Sequence, residues 1–316
     1  MTSETRAAET RASEMGASET ARLMRLATYA SVATAFCLIV IKLGAWVLTD
    51  SISLLSTLID SILDAVASLV SLLAVRHALT PADREHRFGH GKAEPLAALG
   101  QAAFITGSAV FLLIEATHLL FDPRPIQNPG IGIGVMLVSI AATSILVLFQ
   151  RHVIRRTKSV VIRADSLHYL GDLLINAAVI VALLGASQLG WTILDPVFAI
   201  GIAAYILKTA WSIASESLHM LMDRELSDDD RARIGRIVRA HPEVLDMHDL
   251  RTRMAGPQVF IQLHLELNGD LSLWDAHMIS DQVEAELKSA FPGAEVIIHE
   301  DPHGIVEPRA RFGGGA

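Results

Sequence analysis

Six long apolar segments constrain the fold of this 316-residue chain more than any other feature of its sequence. A helix needs about 20 apolar residues to cross the roughly 30 Å hydrocarbon core of a bilayer, and each segment meets that length. Charged residues make up only 19% of the chain, whereas soluble domains carry about 25%. The sequence therefore predicts a multi-pass α-helical membrane protein. Its six transmembrane helices are predicted near residues 25–48, 52–78, 94–121, 130–151, 160–186 and 191–217.

The composition excludes several classes of protein. The only cysteine, Cys37, cannot form a disulfide within the chain or build a cysteine-rich zinc ribbon. An aromatic content of 5% and a net charge of −8 disfavour a nucleic-acid partner. The sequence contains no GxSxG, HExxH or P-loop motif. We therefore expect neither an enzyme nor a nucleic-acid-binding protein.

The last third of the chain differs from the apolar body. The net charge of −8 lies after residue 222, because residues 1–222 contain equal numbers of acidic and basic side chains. Ser227 precedes three aspartates, a pattern typical of a helix N-terminus. Residues 260–267, FIQLHLEL, alternate apolar and polar side chains as a half-buried strand does. The predicted element order αββαβ indicates a small α+β domain with a sheet covered on one face.

The loops between the apolar segments predict how the chain lies in the membrane. The connections between segments 2 and 3 and between segments 4 and 5 are rich in Lys and Arg, whereas the 1–2 and 5–6 connections contain none. The positive-inside rule therefore places both termini in the cytoplasm. The sequence predicts a disordered or loosely helical tail at residues 1–22, a transmembrane domain at 23–220, a cytoplasmic domain at 221–306 and a flexible C-terminus at 307–316.

Two pairs of titratable residues lie within the predicted spans. Asp60 and Asp64 are four residues apart in the second span, and His168 and Asp172 are four apart in the fifth, so each pair shares a helix face. Charged groups at membrane depth are costly and normally face a cavity or a partner. Three carboxylates and one imidazole suit a divalent cation, and tetrahedral zinc is one candidate. The alternative is that these groups cap helices or form hydrogen bonds between them.

The loop after the second span holds a second candidate metal site. Asp83, His86 and His90 have the spacing D-x₂-H-x₃-H, which can fold around a metal. The alternative, weighed equally, is a solvated polar loop whose glycines form turns. Histidines without such neighbours, including His77 and His303, are predicted to be structural.

The C-terminal domain holds a third candidate metal site. It has four histidines and one aspartate that neighbouring strands could collect at one edge of the sheet. The alternative for each histidine is an ordinary surface or core position. The five candidates are His248, His264, His277, His299 and Asp301.

The order of these motifs resembles that of a known family. The segments HRFGHGKAEPLAALGQ, HDLRTRMAGPQVFIQLHLE and VIIHEDP, together with the two pairs in the spans, are similar to those of the cation diffusion facilitator family. The nearest resemblance is to its bacterial zinc and ferrous-iron efflux branch, and it covers about residues 25–306. The resemblance implies a homodimer in the bacterial inner membrane, with six transmembrane helices per subunit and a cytoplasmic α+β domain of metallochaperone-like fold.

The resemblance also implies roles for the candidate residues. The pairs in spans 2 and 5 would form the transport site, the three residues of the 2–3 loop a loop site, and the C-terminal group a binuclear site at the dimer interface with His277 as an additional ligand. Lys92 and Asp223 would form a charge interlock between the membrane and cytoplasmic parts. Glu300 stands where close relatives have Gln, which leaves its role open.

The resulting hypothesis is a proton-coupled antiporter that exports Zn²⁺ from the cytoplasm by alternating access, with Fe²⁺ or Cd²⁺ as further substrates. Metal binds deprotonated ligands, so protons from outside would displace it. Metal at the C-terminal domain would be regulatory. Three alternatives are a metal sensor without flux, a membrane hydrolase and a channel whose flux ignores protons.

Overall fold

A computed structural model describes residues 3–49, 52–121, 130–189 and 194–304. The chain divides into two compact units, Ala21–His219 and Met220–Ala316, and the latter is grouped with Met1–Thr20. The predicted flexible C-terminus at 307–316 lies outside the described residues.

The first unit is a bundle of long helices. Among the described residues, six helices are long and apolar enough to cross a membrane, which confirms the predicted number. The protein is therefore a multi-pass membrane protein. The helices are α1 (Ser3–Thr49), α2 (Ile52–Ala78), α3 (Ala93–Phe121), α4 (Gly130–Thr157), α5 (Val160–Leu189) and α6 (Leu194–Leu221).

The start of α1 lies within the predicted N-terminal tail. The helix begins at Ser3, inside the segment predicted to be disordered or loosely helical. Residues 3–22 contain many Ala, Glu and Arg residues, which have high helix propensity even without an apolar face. The domain boundaries themselves stay predictions.

The surface of the bundle is apolar, as expected for contact with lipid. Trp211, Phe111 and Ile145 are among its most exposed side chains, whereas large apolar groups of soluble proteins are mostly buried. Helix α5 contacts α2, α3 and α4. It also closely approaches α6 at Gly171, where a Cβ atom would lie 3.0 Å from Cδ1 of Ile206. Helix α5 therefore packs against α2, α3, α4 and α6.

The second unit has the predicted αββαβ order. Strands β1 and β2 pair antiparallel, and β2 and β3 pair parallel, so the sheet order is β1-β2-β3. Ser227 and Ser272 cap the two helices by accepting hydrogen bonds from the backbone N–H groups three residues ahead, at 3.2 Å in both. The elements are α7 (Asp228–Ala240), β1 (Asp246–Ala255), β2 (Gln258–Leu267), α8 (Leu273–Ala290) and β3 (Glu295–Pro302).

The two faces of this sheet differ in chemistry. On β2, Leu263 and Leu265 are buried and belong to the same core as Ile234 of α7 and Val283 of α8. Side chains alternate between the faces of a strand, so His264 lies on the face opposite to this core. The helices therefore cover the apolar face, and the candidate metal ligands stand on the other one.

Candidate metal centres

The membrane unit brings a carboxylate of α2 against an imidazole of α5. Nε2 of His168 lies 2.8 Å from Oδ1 of Asp64. One ligand atom from each of Asp64, His168 and Asp172 lies within 4.8 Å of the others, close enough for one metal ion. The three residues line a cavity of about 290 Å³ inside the helical unit. Helix α5 contributes two of them because positions four apart share a face.

The fourth predicted ligand of this site, Asp60, is placed differently. It lines the same cavity but is not among the three residues whose ligand atoms converge. Asp60 shares a face of α2 with Asp64, one helical turn away, but its ligand atoms do not converge with those of the other three residues in this structure. Its assignment as a ligand stays a prediction.

Lys42 of α1 lines the same cavity, a placement that the sequence prediction did not include. Its ammonium group donates hydrogen bonds to Oγ of Ser61 at 2.7 Å and to the carbonyl oxygen of Thr57 at 3.0 Å. A fixed positive charge beside the carboxylates neutralises part of their charge and competes with a bound cation. No sequence motif marks Lys42, because its partners belong to a different helix.

The N-terminus of α5 is held by a buried carboxylate on α3. Oε1 of Glu94 accepts hydrogen bonds from Oγ of Ser159 at 2.6 Å and from the backbone N–H of Val160 at 2.8 Å. A carboxylate at a helix N-terminus satisfies free N–H groups and complements the helix dipole. Glu94 therefore fixes the start of the helix that carries two of the candidate ligands.

The loop between α2 and α3 also assembles its predicted group. Asp83, His86 and His90 present ligand atoms within 4.8 Å of one another. Oδ2 of Asp83 lies 3.4 Å from Nε2 of His90, and Oδ1 lies 3.5 Å from Nδ1 of His86. The ring of His77 lies 4.6 Å from that of His90, centroid to centroid, which makes His77 a neighbour of this site rather than an isolated residue.

The backbone of this loop holds Asp83 as a charged group. Oδ1 of Asp83 accepts hydrogen bonds from the backbone N–H groups of His86 at 2.6 Å and Glu85 at 2.9 Å. The hydrogen bond from His86 lowers the pKa of the Asp83 carboxyl below its ordinary value, and the one from Glu85 adds to the effect. An ionised carboxylate beside two imidazoles is a suitable donor set for a divalent transition metal.

Strand register collects the third group on the face of the sheet opposite to the apolar core. His248, His264 and His299 stand in one row across β1, β2 and β3. Asp301 lies beside this row and reaches all three imidazoles. Its Oδ2 atom is 2.8 Å from Nδ1 of His264 and 3.3 Å from Nε2 of His248, and its Oδ1 atom is 3.2 Å from Nε2 of His299.

Two other residues of the C-terminal unit stand apart from this group. The side chain of His277 on α8 is 61% exposed, and its Nε2 atom lies 3.9 Å from Oδ1 of Asp281. Within one chain the structure does not bring His277 to the row of histidines, so its assignment as a ligand stays a prediction. Glu300 pairs in register with Leu265 and so lies on the opposite face from Asp301.

The structure adds two residues that the sequence prediction left out. Oε1 of Glu266 lies 3.1 Å from Nδ1 of His248, and Oε2 lies 3.1 Å from Nδ1 of His303. A carboxylate on the far nitrogen of a metal-binding imidazole fixes its tautomer and orientation. The alternation of His264 and Glu266 along β2 was the available signal, since residues two apart share a face of a strand.

The predicted charge interlock joins residues of the two different units. Lys92 lies just before α3 and Asp223 just after α6. Within its own unit, Oδ1 of Asp223 lies 3.3 Å from a guanidinium nitrogen of Arg253. The pairing of Lys92 with Asp223 stays a prediction.

Comparison with known proteins agrees with this architecture. The family profile described as the cation efflux transmembrane domain matches residues 28–222, which is more than half of the chain. The chain is a member of the cation efflux family, the cation diffusion facilitators. The profile for the cytoplasmic domain of cation efflux proteins matches residues 226–303.

Individual relatives of this cation diffusion facilitator match over nearly their whole length. The cation-efflux pump FieF of Yersinia enterocolitica is 49% identical over 291 residues, which cover 92% of this chain and 96% of the relative. FieF of Shewanella oneidensis is 51% identical over 279 residues, covering 88% and 94%. A solved structure of the metal-bound C-terminal domain of the CzcD transporter from Thermotoga maritima is 28% identical, with a TM-score of 0.24, covering 26% of this chain and all of that domain.

Proposed function

We propose that this protein exports divalent metal cations from the cytoplasm in exchange for protons, working as a homodimer in the bacterial inner membrane. The observation that carries the proposal is the convergence of Asp64, His168 and Asp172 on one cavity inside the membrane unit. Membership of the cation efflux family and the FieF relatives support transport as the activity. The alternative of a membrane hydrolase has no motif in its favour.

The chemistry of the cavity favours an exchange of metal for protons. Carboxylate and imidazole ligands bind metal only when deprotonated, so an arriving cation releases protons and an arriving proton releases the cation. The 2.8 Å contact between Asp64 and His168 is a hydrogen bond that a metal must replace. A cation bound in a low-dielectric bundle needs charged partners, and the cavity is lined by three carboxylates and one imidazole, of which Asp64, Asp172 and His168 converge. Alternating exposure of this cavity to the two sides of the membrane would complete the transport cycle.

The direction of transport follows from the predicted orientation. Lys and Arg cluster in the 2–3 and 4–5 loops, which places both termini and the loop site on the cytoplasmic side. Metal would enter the cavity from this side, and protons would enter from the other side. The loop group of Asp83, His86 and His90 would bind metal at the cytoplasmic rim.

Zinc is the proposed main substrate, with Fe²⁺ and Cd²⁺ as further candidates. Mixed oxygen and imidazole ligands suit zinc and the neighbouring transition metals, and a low coordination number favours a tetrahedral ion. The ligand types alone discriminate weakly among these metals. The affinities of divalent metals follow a similar order at most sites, and selectivity depends on the coordination geometry. Competition experiments therefore decide the order of preference.

The C-terminal unit is proposed to regulate transport by binding metal between two copies. Asp301 and the histidines of the row present their donors on the sheet face opposite to the apolar core that α7 and α8 share. Cations bound there would offset the excess of acidic residues in this part of the chain and draw two subunits together. His277, exposed on α8, would then be available to complete the site of a partner.

The decisive experiment is Zn²⁺ flux in proteoliposomes with and without an imposed pH gradient. We expect flux that follows the gradient, with protons moving in the opposite direction. The Asp172→Asn variant should lose this flux, whereas Glu115→Gln, which removes an exposed carboxylate elsewhere on α3, should retain it. Zinc flux that ignores the proton gradient would overturn the proposal in favour of a channel. Zinc binding with no flux for Zn²⁺, Fe²⁺ or Cd²⁺ would favour a sensor.

A further inference from the structure

A buried aspartate on α5 takes no part in the metal centre yet forms hydrogen bonds to three other helices. Asp165 is 2% exposed and lies three residues before His168 and seven before Asp172. These spacings put the three side chains along one side of α5. A carboxyl group buried among membrane helices is costly unless other groups satisfy it. The groups that surround the Asp165 carboxyl therefore indicate its role.

One oxygen of Asp165 joins α5 to α1 and α4. Oδ2 accepts hydrogen bonds from Oγ of Ser31 at 2.6 Å and from Nε2 of Gln150 at 2.7 Å. Nε2 of Gln150 also donates to Oγ of Ser31 at 3.0 Å, so the three side chains form a closed ring. All three are almost fully buried.

The other oxygen of Asp165 joins α5 to α2. Oδ1 accepts from Oγ of Ser71 at 3.3 Å, and Oγ of Ser68 lies 3.4 Å from the same oxygen. Gln101 of α3 donates in turn to Oγ of Ser71. One carboxyl group is thus bonded directly to three other helices and, through Ser71, to a fourth.

The network ends next to the metal centre. The hydroxyl group of Tyr169, the residue after His168, shares a hydrogen bond of 2.7 Å with Oγ of Ser68. It also donates to the carbonyl oxygen of Ser31 at 3.3 Å. Asp165 and Tyr169 therefore hold the turn of α5 that precedes and includes His168.

Hydrogen bonds from one carboxyl group to three different helices fix the rotation of α5 about its axis. Side-chain atoms lie about 5 Å from a helix axis, so a rotation of about 20° would displace them by roughly 2 Å. Metal–ligand distances tolerate only about 0.2 Å. The rotation of α5 must therefore be held closely if His168 and Asp172 are to meet an ion together with Asp64.

We propose that Asp165 is the positioning residue of the membrane metal centre: its hydrogen bonds to α1, α2 and α4 set the rotation at which α5 presents His168 and Asp172 to Asp64. This inference rests on the proposed transport site. It predicts that Asp165 controls the affinity and size selectivity of the site without touching the ion.

The test is the Asp165→Asn variant in Zn²⁺ and Cd²⁺ flux assays. Asparagine keeps one acceptor oxygen but replaces the other with an NH₂ group. This NH₂ group cannot accept the hydrogen bond that Gln150 or the serines donate to Asp165. Loss of a residue that orients metal ligands commonly reduces metal affinity about 10- to 100-fold. We expect the KM for Zn²⁺ to rise at least about tenfold, and the ratio of Zn²⁺ to Cd²⁺ transport to change. Loss of a purely structural contact would lower the amount of active protein and leave both quantities unchanged.

A second substitution provides a rescue. Among the described residues, Oε1 of Gln150 has no hydrogen-bond partner. In the double variant Asp165→Asn, Gln150→Glu, the carboxylate moves from α5 to α4 and can accept from the amide of residue 165. The hydrogen bond between the helices returns with its direction reversed. We expect the double variant to recover a KM within about threefold of the wild type, because a restored hydrogen bond restores the rotation.

Milder variants keep the test decisive if Asp165→Asn fails to fold. Ser31→Ala removes one donor to Asp165 and should also raise the KM for Zn²⁺. Its matched control is Thr28→Val on the same helix, since the hydroxyl group of Thr28 donates only to carbonyl oxygens of its own helix. A wild-type KM and metal ratio in folded Asp165→Asn or Ser31→Ala would overturn the inference, as would a folded double variant no better than Asp165→Asn. Absence of flux in the wild type would instead refute the proposed function.

Discussion

Nε2 of His168 on α5 lies 2.8 Å from Oδ1 of Asp64 on α2, which places a hydrogen bond across the centre of the membrane cavity. The two residues are 104 positions apart in the chain, so only the packing of α2 against α5 brings them together. The same two atoms can share a proton or a metal ion, but not both at once. Competition between the two cations is therefore a property of this contact.

Removing the side chain of either Asp64 or His168 should abolish transport while leaving the protein folded. Asp64→Ala takes away a carboxylate that a bound cation needs, and we expect zinc flux to fall at least about 100-fold, since a cation at membrane depth depends on its charged ligands. Flux into proteoliposomes measures this, with size-exclusion chromatography as the check on folding. Leu69→Ala, a truncation at an exposed site on the same helix, should keep flux near that of the wild type. Normal flux in folded Asp64→Ala would refute the assignment of the transport site.

Lys42 should weaken metal binding, because its ammonium group lines the cavity that holds the carboxylates. Lys42→Met keeps the length of the side chain and removes the charge. With less electrostatic repulsion, we expect the affinity for Zn²⁺ to rise by roughly fivefold or more, and release to become slower. Equilibrium binding and the KM for flux both measure the change. Lys208→Met removes an exposed charge from α6 and serves as the control. A lower affinity in Lys42→Met than in Lys208→Met would show that Lys42 supports the site through its hydrogen bonds.

The sequence alone predicted the six helices and the αββαβ order because both depend on local periodicity and length. It also predicted which residues carry metal chemistry, since charged groups in an apolar span and clustered histidines stand out. Asp165 was missed although it has the same character as Asp172. Its partners are two serines of α2, a serine of α1 and a glutamine of α4, and such residues carry no signal until the helices are packed. Glu266 was missed for a similar reason, because its role depends on the register of β1 against β2.

Glu266 should control metal binding at the C-terminal unit by orienting His248. Glu266→Gln keeps the size of the side chain and removes the negative charge whose Oε1 atom lies 3.1 Å from Nδ1 of His248. We expect the zinc concentration at half response to rise about 10- to 100-fold. Fluorescence transfer between labels on the C-terminal units of two subunits measures this response, with a cysteine introduced at the exposed position 286 in a Cys37→Ser background.

Glu243→Gln is the matched control for this experiment, because Glu243 is an exposed acidic residue of the same unit. It should respond to zinc as the unsubstituted labelled protein does. Equal midpoints for Glu266→Gln and Glu243→Gln would remove Glu266 from the site. Fluorescence transfer that stays constant up to saturating zinc in the unsubstituted protein would argue against regulation by closure of the C-terminal units.

Acid should release metal from the loop site without protonating Asp83. The backbone N–H of His86 lowers the pKa of the Asp83 carboxyl, so protons compete for this ligand only below the ordinary aspartate value of about 3.9. As the pH falls toward that value, we therefore expect the Asp83 carboxyl to take up none of the protons that accompany the loss of loop-bound zinc, which limits the uptake to two protons per ion. Equilibrium dialysis of the wild type and Asp83→Ala over a pH series isolates the loop site as their difference. Glu85→Gln, which removes a neighbouring exposed carboxylate, should follow the wild type. An uptake of three protons per ion would show that Asp83 is protonated as the metal leaves.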